Sequence, residues 1–401
     1  MKARERVRKV LNHEEADRVF IESNSTVSAI HEVAYDNLLK YLGIEDNQRK
    51  IVCPTQRIPQ ACDEVLDVLG VDTRVIYAKP GSGYTYEEKP DGSWVDEFGT
   101  GLKKCGLYCD IAEPVLANAT MEDIKRYKFP NPTDPVRFEG LKEQAKELYD
   151  KTDYAIIAGN QFAIYYIAWV LRGIRQFTED SILDKRMSAY LMDKIVEWDI
   201  AFLDGYLDEV GEFVEWVWVV DDWGAQQGPF ISPKMFEEEM VPRFKKIIEF
   251  IKSKAEVKIC YHTCGATYWA LDYFIDLGVD ILHPMQANAK GNEDPEKLKR
   301  EYGDSFVFHG NTNNQGVFHK SKEEVVADAL YRIKYLAPGG GYIFSSGHNI
   351  QANMPPENIM AFFKAAQDYG SYPIDVKKID EKLRELTVMR PVIKEQIPIP
   401  D

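Results

Sequence analysis

Short apolar runs that end in polar residues recur along this chain, and helical segments fall between them. Seven such runs have the character of strands, at residues 17–24, 154–160, 217–222, 257–262, 278–284, 305–310 and 341–346. Largely apolar runs of this length are typical of parallel strands that are buried on both faces. Because strands that alternate with helices indicate a parallel sheet, we predict an α/β fold. A (β/α)8 TIM-type barrel is the best interpretation, although only seven strands can be placed, and a doubly wound open sheet is the second.

Residues 50–115 do not follow this alternation. Lys89-Pro-Asp-Gly92 and Glu97-Phe-Gly-Thr-Gly101 are typical of turns between short antiparallel strands. We therefore predict one barrel domain over residues 1–401, with residues 50–115 as a helical and β-hairpin insertion near the mouth. The insertion serves either as a lid or as a plain structural hairpin.

The composition narrows the class of protein. Acidic residues outnumber basic ones by 65 to 49 in 401 residues, which argues against a broad surface for nucleic acid or anionic membrane. No apolar run reaches the roughly 18 residues of a membrane span, and from the charged N-terminus we expect no secretory signal. Six cysteines suit a reducing compartment. We expect a cytoplasmic enzyme or binding protein without nucleic-acid or membrane partners; the sequence leaves the oligomeric state open, a homodimer included.

Polar residues collect where the predicted strands end. In TIM barrels, the carboxyl ends of the strands carry the active site. The residues at these ends are Glu22, Asn24, Asn160, Gln161, Asp221, Asp222, His262, Cys264, Gln286, His309, Asn311, Ser346 and His348. Each alone means little, but their coincidence on seven strands predicts a functional site in the barrel mouth.

His262 and Cys264 are the most specific pair among them. Residues two apart on extended backbone point to the same side, and a neutral imidazole with a thiolate is a zinc-like ligand pair. The alternative is a hydrogen-bonded histidine beside a buried cysteine. A metal would need a third ligand, and the candidates are His348, Glu22, Asp221, Asp222 and His309.

Asp221 and Asp222 follow an apolar strand directly. Two adjacent carboxylates cannot both face the same barrel interior, so we expect one to act in the site and the other to cap or pair. Desolvation would raise the pKa of the inward one and suit it to donate a proton. Which of the two faces inward stays open.

Three motifs together resemble the uroporphyrinogen decarboxylase superfamily, and in particular its corrinoid-dependent methyltransferase branch. They are His262-Thr-Cys-Gly265, Asp221-Asp-Trp-Gly224 and Ser346-Gly-His-Asn-Ile-Gln351. The resemblance runs from about residue 15 to residue 370 and includes Leu282-His-Pro-Met-Gln286. It implies a (β/α)8 barrel with its active site in the mouth.

Two departures from the superfamily's patterns bear on the activity. The decarboxylases carry an Arg-Gln-Ala-Gly-Arg segment whose arginines bind the substrate carboxylates, whereas Ile21-Glu-Ser-Asn-Ser25 has no arginine. Uroporphyrinogen decarboxylation is therefore not expected. Thiol methyltransferases of the superfamily hold zinc with His-x-Cys and a later Cys, and here His348 stands at that later place. Decarboxylases also tend to have His there, so whether His348 binds metal stays open.

The resemblance implies a methyltransferase that moves a methyl group from a small methylated substrate to the Co(I) of a corrinoid protein. Such a substrate would be a methoxylated aromatic, as in O-demethylation, and the cobalamin would be carried by the partner protein. Zn²⁺ on His262, Cys264 and His348, or an acid among Asp222, Glu22 and Asp221, would assist. We expect the substrate to contact Asn160, Trp223, Phe230, Tyr261, Gln286 and Asn311. The alternatives are methyl transfer from methylcobalamin to a thiol and a non-catalytic barrel that binds a ligand.

Overall fold

A computed structural model describes residues 1–386 of the chain, so the end of the predicted 1–401 domain lies outside the described residues. Its centre is a ring of eight parallel strands. They are β1 (Phe20–Ile21), β2 (Thr73–Ile76), β3 (Ala155–Ala158, resumed at Gln161–Phe162), β4 (Trp216–Val220), β5 (Lys258–His262), β6 (Ile281–His283), β7 (Val307–His309) and β8 (Tyr342–Phe344).

Hydrogen bonds join the strands in chain order around the ring. β3 pairs with β2 through its first part and with β4 through its second, and β8 pairs with β1. Between β1 and β2, the Asp72 amide donates to the Ile21 carbonyl at 2.8 Å. The predicted (β/α)8 barrel is confirmed.

β2 is the strand that the sequence analysis could not place. It lies inside residues 50–115, and its Thr-Arg-Val-Ile sequence is half polar and precedes a turn-rich segment. The part of 50–115 that departs from the barrel is an antiparallel sheet of Ser93–Val95, Gly101–Cys105 and Tyr108–Glu113, with a small pair at Ile51–Cys53 and Ile58–Pro59.

The antiparallel sheet reaches the carboxyl ends of the barrel strands. His31, in the loop after β1, donates from Nε2 to the Leu107 carbonyl at 2.9 Å. The Tyr108 hydroxyl bonds Gln351 in the loop after β8. The turn at residues 105–108 therefore connects two loops of the barrel mouth.

Helices cover the outside of the ring. They span Ala3–Leu11, Glu32–Leu42, Asp63–Leu69, Met121–Arg126, Leu141–Lys151, Tyr165–Arg172, Ile174–Leu183, Lys185–Val210, Pro233–Met235, Val241–Lys254, Leu271–Leu277, Pro295–Tyr302, Asn314–Val317, Lys322–Leu336, Pro356–Tyr369 and Val376–Glu385, with a π-helical turn at Phe236–Met240. Within residues 1–386, none of them combines the length and the apolar character that a membrane crossing needs.

Strand alternation divides the core into two layers. On β5, Cys260 packs inside the ring, whereas Ile259 and Tyr261 pack against the helices. Trp216 and Trp218 fill the interior at its lower levels, and the helix Ala3–Leu11 packs beneath them. Because this end is filled with apolar side chains, polar groups of the ring can reach a ligand only at the carboxyl ends of the strands.

Candidate active site

Three of the predicted metal ligands meet in the mouth. One ligand atom each of His262, Cys264 and His348 lies within 4.8 Å of the others, and Cys264 Sγ is 3.5 Å from His262 Nε2. Zinc bonds of about 2.3 Å to sulfur and 2.0 Å to nitrogen, at tetrahedral angles, put two such atoms about 3.5 Å apart. The donor set and its spacing therefore fit a tetrahedral ion such as Zn²⁺.

The loop after β5 is held by several contacts that set the position of Cys264. The Cys264 amide donates to Asp222 Oδ1 at 2.7 Å, and the Gly265 amide donates to Gln286 Oε1 at 2.9 Å. Gly265 has φ +83°, and a Cβ there would lie 1.8 Å from the Gly224 carbonyl oxygen. Only glycine fits this crossing of two loops.

Burial sets the protonation of the three candidate ligands. Desolvation lowers the pKa of His262 to about 4 and also lowers the pKa of His348, so both imidazoles are neutral near pH 7. Burial, with the nearby Asp222 carboxylate, raises the pKa of the Cys264 thiol. Two neutral imidazoles suit a metal at once, whereas the thiol must release a proton when a metal binds.

His283 belongs to the same cluster, and the sequence analysis did not single it out. It lies opposite His262 in the register of β5 and β6, and the two Nδ1 atoms are 2.7 Å apart. Its Nε2 is 3.2 Å from the Ser346 carbonyl oxygen. Strand alternation from the inward Ile281 could have placed His283 inside the ring, but not against His262, because that contact depends on register.

The adjacent aspartates have different surroundings: Asp221 is buried against a helix and Asp222 lies in the mouth. The buried Asp221 caps the helix Tyr165–Arg172, accepting from the amides of Ile164, Tyr165 and Tyr166 at 2.8–2.9 Å. Desolvation raises the pKa of Asp221 to about 7, against the opposing effect of those amides. Asp222 is 54% exposed, and its Oδ1 lies 3.8 Å from His262 Nε2. Of the two, Asp222 is the carboxylate that a substrate can reach.

Glu22 and His309 form a separate, fully buried pair. Glu22 Oε2 accepts from His309 Nε2 at 2.9 Å and from the Ser28 hydroxyl at 2.6 Å, and Glu22 Oε1 accepts from the Ser25 amide at 3.2 Å. Both side chains are 0% exposed. The candidate acid Glu22 is therefore engaged within the protein, because the loop after β1 folds over it, and His309 is paired rather than placed with the metal ligands.

Three of the expected substrate contacts instead hold loops together. Asn160 Oδ1 accepts from the Ala78 amide at 2.8 Å, and Gln286 binds the Gly265 amide. Asn311 is fully buried and bonds the Met285 carbonyl and Arg332. Asn160 also lines a cavity of about 260 Å³ beside the mouth, and Asn160 and Gln286 are both only half-buried.

Trp223 and Tyr261, two of the expected substrate contacts, lie away from the mouth in this structure. Both are 0% exposed, and the Trp223 indole donates to the Tyr261 hydroxyl at 2.7 Å in the layer between strands and helices. Strand alternation turns Tyr261 outward because its neighbours Cys260 and His262 face inward. Phe230 lies on the rim, 40% exposed, with its ring 5.2 Å from that of Trp169.

A larger groove, of about 970 Å³, lies at the opposite end of the barrel. Its walls include Arg8, Glu215, Lys254, Lys258 and Asp280. These charges are of mixed sign and none belongs to the site residues above. Volume alone would point to this groove, but the candidate ligands lie in the mouth.

Comparisons with known proteins agree with this barrel. The model of the family described as uroporphyrinogen decarboxylase (URO-D) matches residues 102–369. The uroporphyrinogen decarboxylase of Geobacter metallireducens is 24% identical over 331 residues, which cover 75% of this chain and 83% of that protein. The enzyme of the same name from Pseudoalteromonas atlantica is 21% identical over 277 residues, which cover 66% and 74%.

A solved structure has the same fold over nearly its whole length. A methyltransferase from Methanosarcina mazei superposes with a TM-score of 0.62 and 16% identity, covering 92% of this chain and 99% of that one. At this identity the likeness concerns the fold alone. The family match spans well over half of the chain, and its barrel is the one described above, so this protein belongs to the uroporphyrinogen decarboxylase family.

Proposed function

We propose that this protein is a methyltransferase that moves a methyl group from a small methylated substrate to the reduced cobalt of a corrinoid protein. A methoxylated aromatic is the substrate class we favour. The single observation that carries the proposal is the cluster of His262, Cys264 and His348 in the mouth, with a spacing that fits zinc. The methyltransferase fold of the M. mazei protein is consistent with it.

The donor set favours oxygen or nitrogen chemistry over sulfur chemistry. One thiolate with two imidazoles donates less charge than two thiolates with one imidazole. A zinc ion held by His262, Cys264 and His348 would act as a Lewis acid on the atom that the methyl group leaves. An aryl ether needs such help, because the phenolate it releases has a pKa of about 10.

The chain's own residues hold this site and control its protons. In the proposed reaction the C–O bond breaks, the methyl carbon bonds to the partner's cobalt, and the bonding pair stays on oxygen. Asp222 is the carboxyl group we assign to proton transfer at that oxygen, because Glu22 and Asp221 are buried with their oxygens bonded. Asn160, Gln286 and Phe230 are the remaining candidates for substrate contact.

Decarboxylation of a porphyrinogen is the activity of the named relatives, and we do not propose it here. A substrate of many carboxylates needs cations in the mouth. The loop that begins at Glu22 has no arginine through Ser25. Arg57, close to that loop, pairs with Glu32 and Glu88.

The test is a methyl-transfer screen with purified, zinc-loaded protein and a reduced corrinoid protein. Methoxyaromatics and methylamines are the donors, and the appearance of methylcobalamin is followed by absorbance. The proposal expects turnover with a methoxyaromatic and its loss by on the order of 10²-fold or more in Asp222→Asn. Asp193→Asn, at an aspartate that pairs with Arg243 between the helices Lys185–Val210 and Val241–Lys254, is the matched control.

Two results would redirect the proposal. Methyl transfer from methylcobalamin to a thiol, with no reaction of methyl donors, would assign the reverse chemistry to the same site. Carbon dioxide release from a porphyrinogen would return the protein to the activity of its named relatives.

A further inference from the structure

The contact between His262 and His283 bears on which ring nitrogen of His262 carries the hydrogen. The cluster of His262, Cys264 and His348 does not decide this by itself. Two imidazole nitrogens 2.7 Å apart share one hydrogen, so one Nδ1 donates and the other accepts. If His262 Nδ1 donates, its Nε2 has a free lone pair facing Cys264. If it accepts, Nε2 carries the hydrogen and cannot bind a metal.

The Ser346 carbonyl decides between these two states. A carbonyl oxygen can only accept, so His283 Nε2, 3.2 Å away, must carry a hydrogen. His283 is 0% exposed, and the rings around it are those of His262, His309 and Trp218, with no carboxylate in contact among the described residues. It is therefore neutral, and its Nδ1 has a lone pair that accepts from His262 Nδ1–H.

A second contact agrees with this assignment. Cys264 Sγ lies 3.5 Å from His262 Nε2. A thiol can donate to that nitrogen only if the nitrogen holds a lone pair. A lone pair on His262 Nε2 is therefore compatible with both contacts, since the Cys264 thiol can donate to it.

We propose that His283 is a positioning residue that relays the Ser346 carbonyl to His262 and holds its Nε2 as a lone-pair donor aimed at the metal position. This rests on the proposed function in taking the cluster to be a metal site. Partners of this kind behind a ligand histidine fix its tautomer and ring orientation, and their loss weakens metal binding by about 10–100-fold.

One consequence concerns the loop after β8. Ser346 lies two residues before His348, so the same loop supplies one candidate ligand and sets the tautomer of another. A displacement of this loop would therefore remove His348 and release His262 together. Metal binding and the order of this loop are coupled through His283.

Two variants separate positioning from packing. His283→Phe keeps a ring but removes both nitrogens, and we expect zinc affinity to fall about 10–100-fold. His283→Asn retains an oxygen near the Nδ1 position, and we expect it to recover affinity to within about threefold of the natural protein. Trp218→Phe, which alters the ring packed on His283, is the control and should change affinity by less than about threefold. Zinc affinity is measured by competition with a chromogenic chelator.

Two-bond ¹⁵N–¹H spectra of histidine-labelled, metal-free protein test the tautomer without any metal. The His262 signal, identified by its absence in His262→Gln, should show a protonated Nδ1 in the natural protein and in His283→Asn. It should show mixed tautomers in His283→Phe. Melting temperatures of all variants establish that they fold.

A protonated Nε2 on His262 in the natural protein overturns the inference, as does unchanged zinc affinity in a folded His283→Phe. A protonated Nδ1 on His262 with no zinc bound at micromolar concentration would support the tautomer assignment. It would contradict the proposed zinc function instead. The two failures are therefore distinguishable.

Discussion

Two polar clusters in the same barrel differ in how their groups are used. The inner cluster pairs Glu22 with His309 at 0% exposure, and the carboxylate accepts from a hydroxyl and an amide as well. The outer cluster brings His262, Cys264 and His348 together with their ligand atoms facing one another. The inner cluster satisfies its own hydrogen bonds, whereas the outer one brings three candidate ligand atoms to within 4.8 Å of one another. The residue types at the strand ends do not distinguish the two clusters. The contacts that each side chain makes do distinguish them.

The adjacent residues Asp221 and Asp222 show the same contrast between a group paired within the protein and a group exposed in the mouth. Both carboxyl oxygens of Asp221 accept hydrogen bonds from helix amides, three in all, whereas Asp222 is half exposed beside His262. We expect substitutions in the inner set to act on stability and substitutions in the outer set to act on metal binding and turnover.

The largest effect should come from Cys264→Ala. Removing one of three ligands should weaken zinc binding by about 10³-fold or more, roughly a third of the 10–16 kcal/mol typical of structural sites. Methyl transfer should fall with it, while the melting temperature of the metal-free protein changes by only a few degrees. Zinc content by atomic absorption after dialysis checks this. Cys62→Ala, at a half-buried thiol outside the cluster, is the control, and equal zinc content in both variants would contradict the metal assignment.

Glu22→Ala should lower the stability of the fold and leave zinc binding unchanged. Leaving His309 and the Ser28 hydroxyl without their buried acceptor should cost about 3–5 kcal/mol in the free energy of unfolding. The folded fraction should still bind zinc as the natural protein does. Urea unfolding followed by fluorescence, with zinc titration at low temperature, measures both. A stable variant that has lost methyl transfer would instead assign Glu22 to the reaction.

Asp221→Asn should lower the free energy of unfolding by about 1–3 kcal/mol, because the amide NH₂ group cannot accept from the helix amides. The difference also depends on pH. The pKa of Asp221 is raised to about 7 in the folded protein, so its contribution is greatest below about pH 4 and is lost as pH rises through 7. The advantage of the natural protein over the variant should thus shrink from pH 4 to pH 7.5. An advantage that grows over this range would mean that the three amides outweigh desolvation.

Measured per pH unit, the smallest effect is the slope of zinc affinity against pH. Because the pKa of the Cys264 thiol is raised, binding releases one proton, and affinity should rise about tenfold per pH unit from about pH 5.5 to 8.5. With the pKa of His262 at about 4, that residue adds no slope in this range. Cys264→His should flatten the dependence. Calorimetry in two buffers of different ionisation enthalpy counts the protons, and a count near zero would mean that the thiol does not bind the ion.

Much of the barrel was readable from local pattern. Seven strands were placed because their apolar runs are continuous. β2 was missed because Thr73 and Arg74 break the apolar run. Arg74 forms ion pairs with Asp63 and Asp67, on the helix before the strand. No local sequence pattern predicts that pairing.

The sequence by itself determined the superfamily, the barrel and the strand ends at which polar residues gather, because these follow from periodicity and from motifs a few residues long. It also put His262 and Cys264 two residues apart, as one ion requires. Only the tertiary structure placed His348, one of five candidate third ligands, beside His262 and Cys264, turned Asp221 to the helix and Asp222 to the mouth, and set His283 against His262. These choices depend on distances between strands, which register and closure of the ring decide, and spacing along the chain does not encode them.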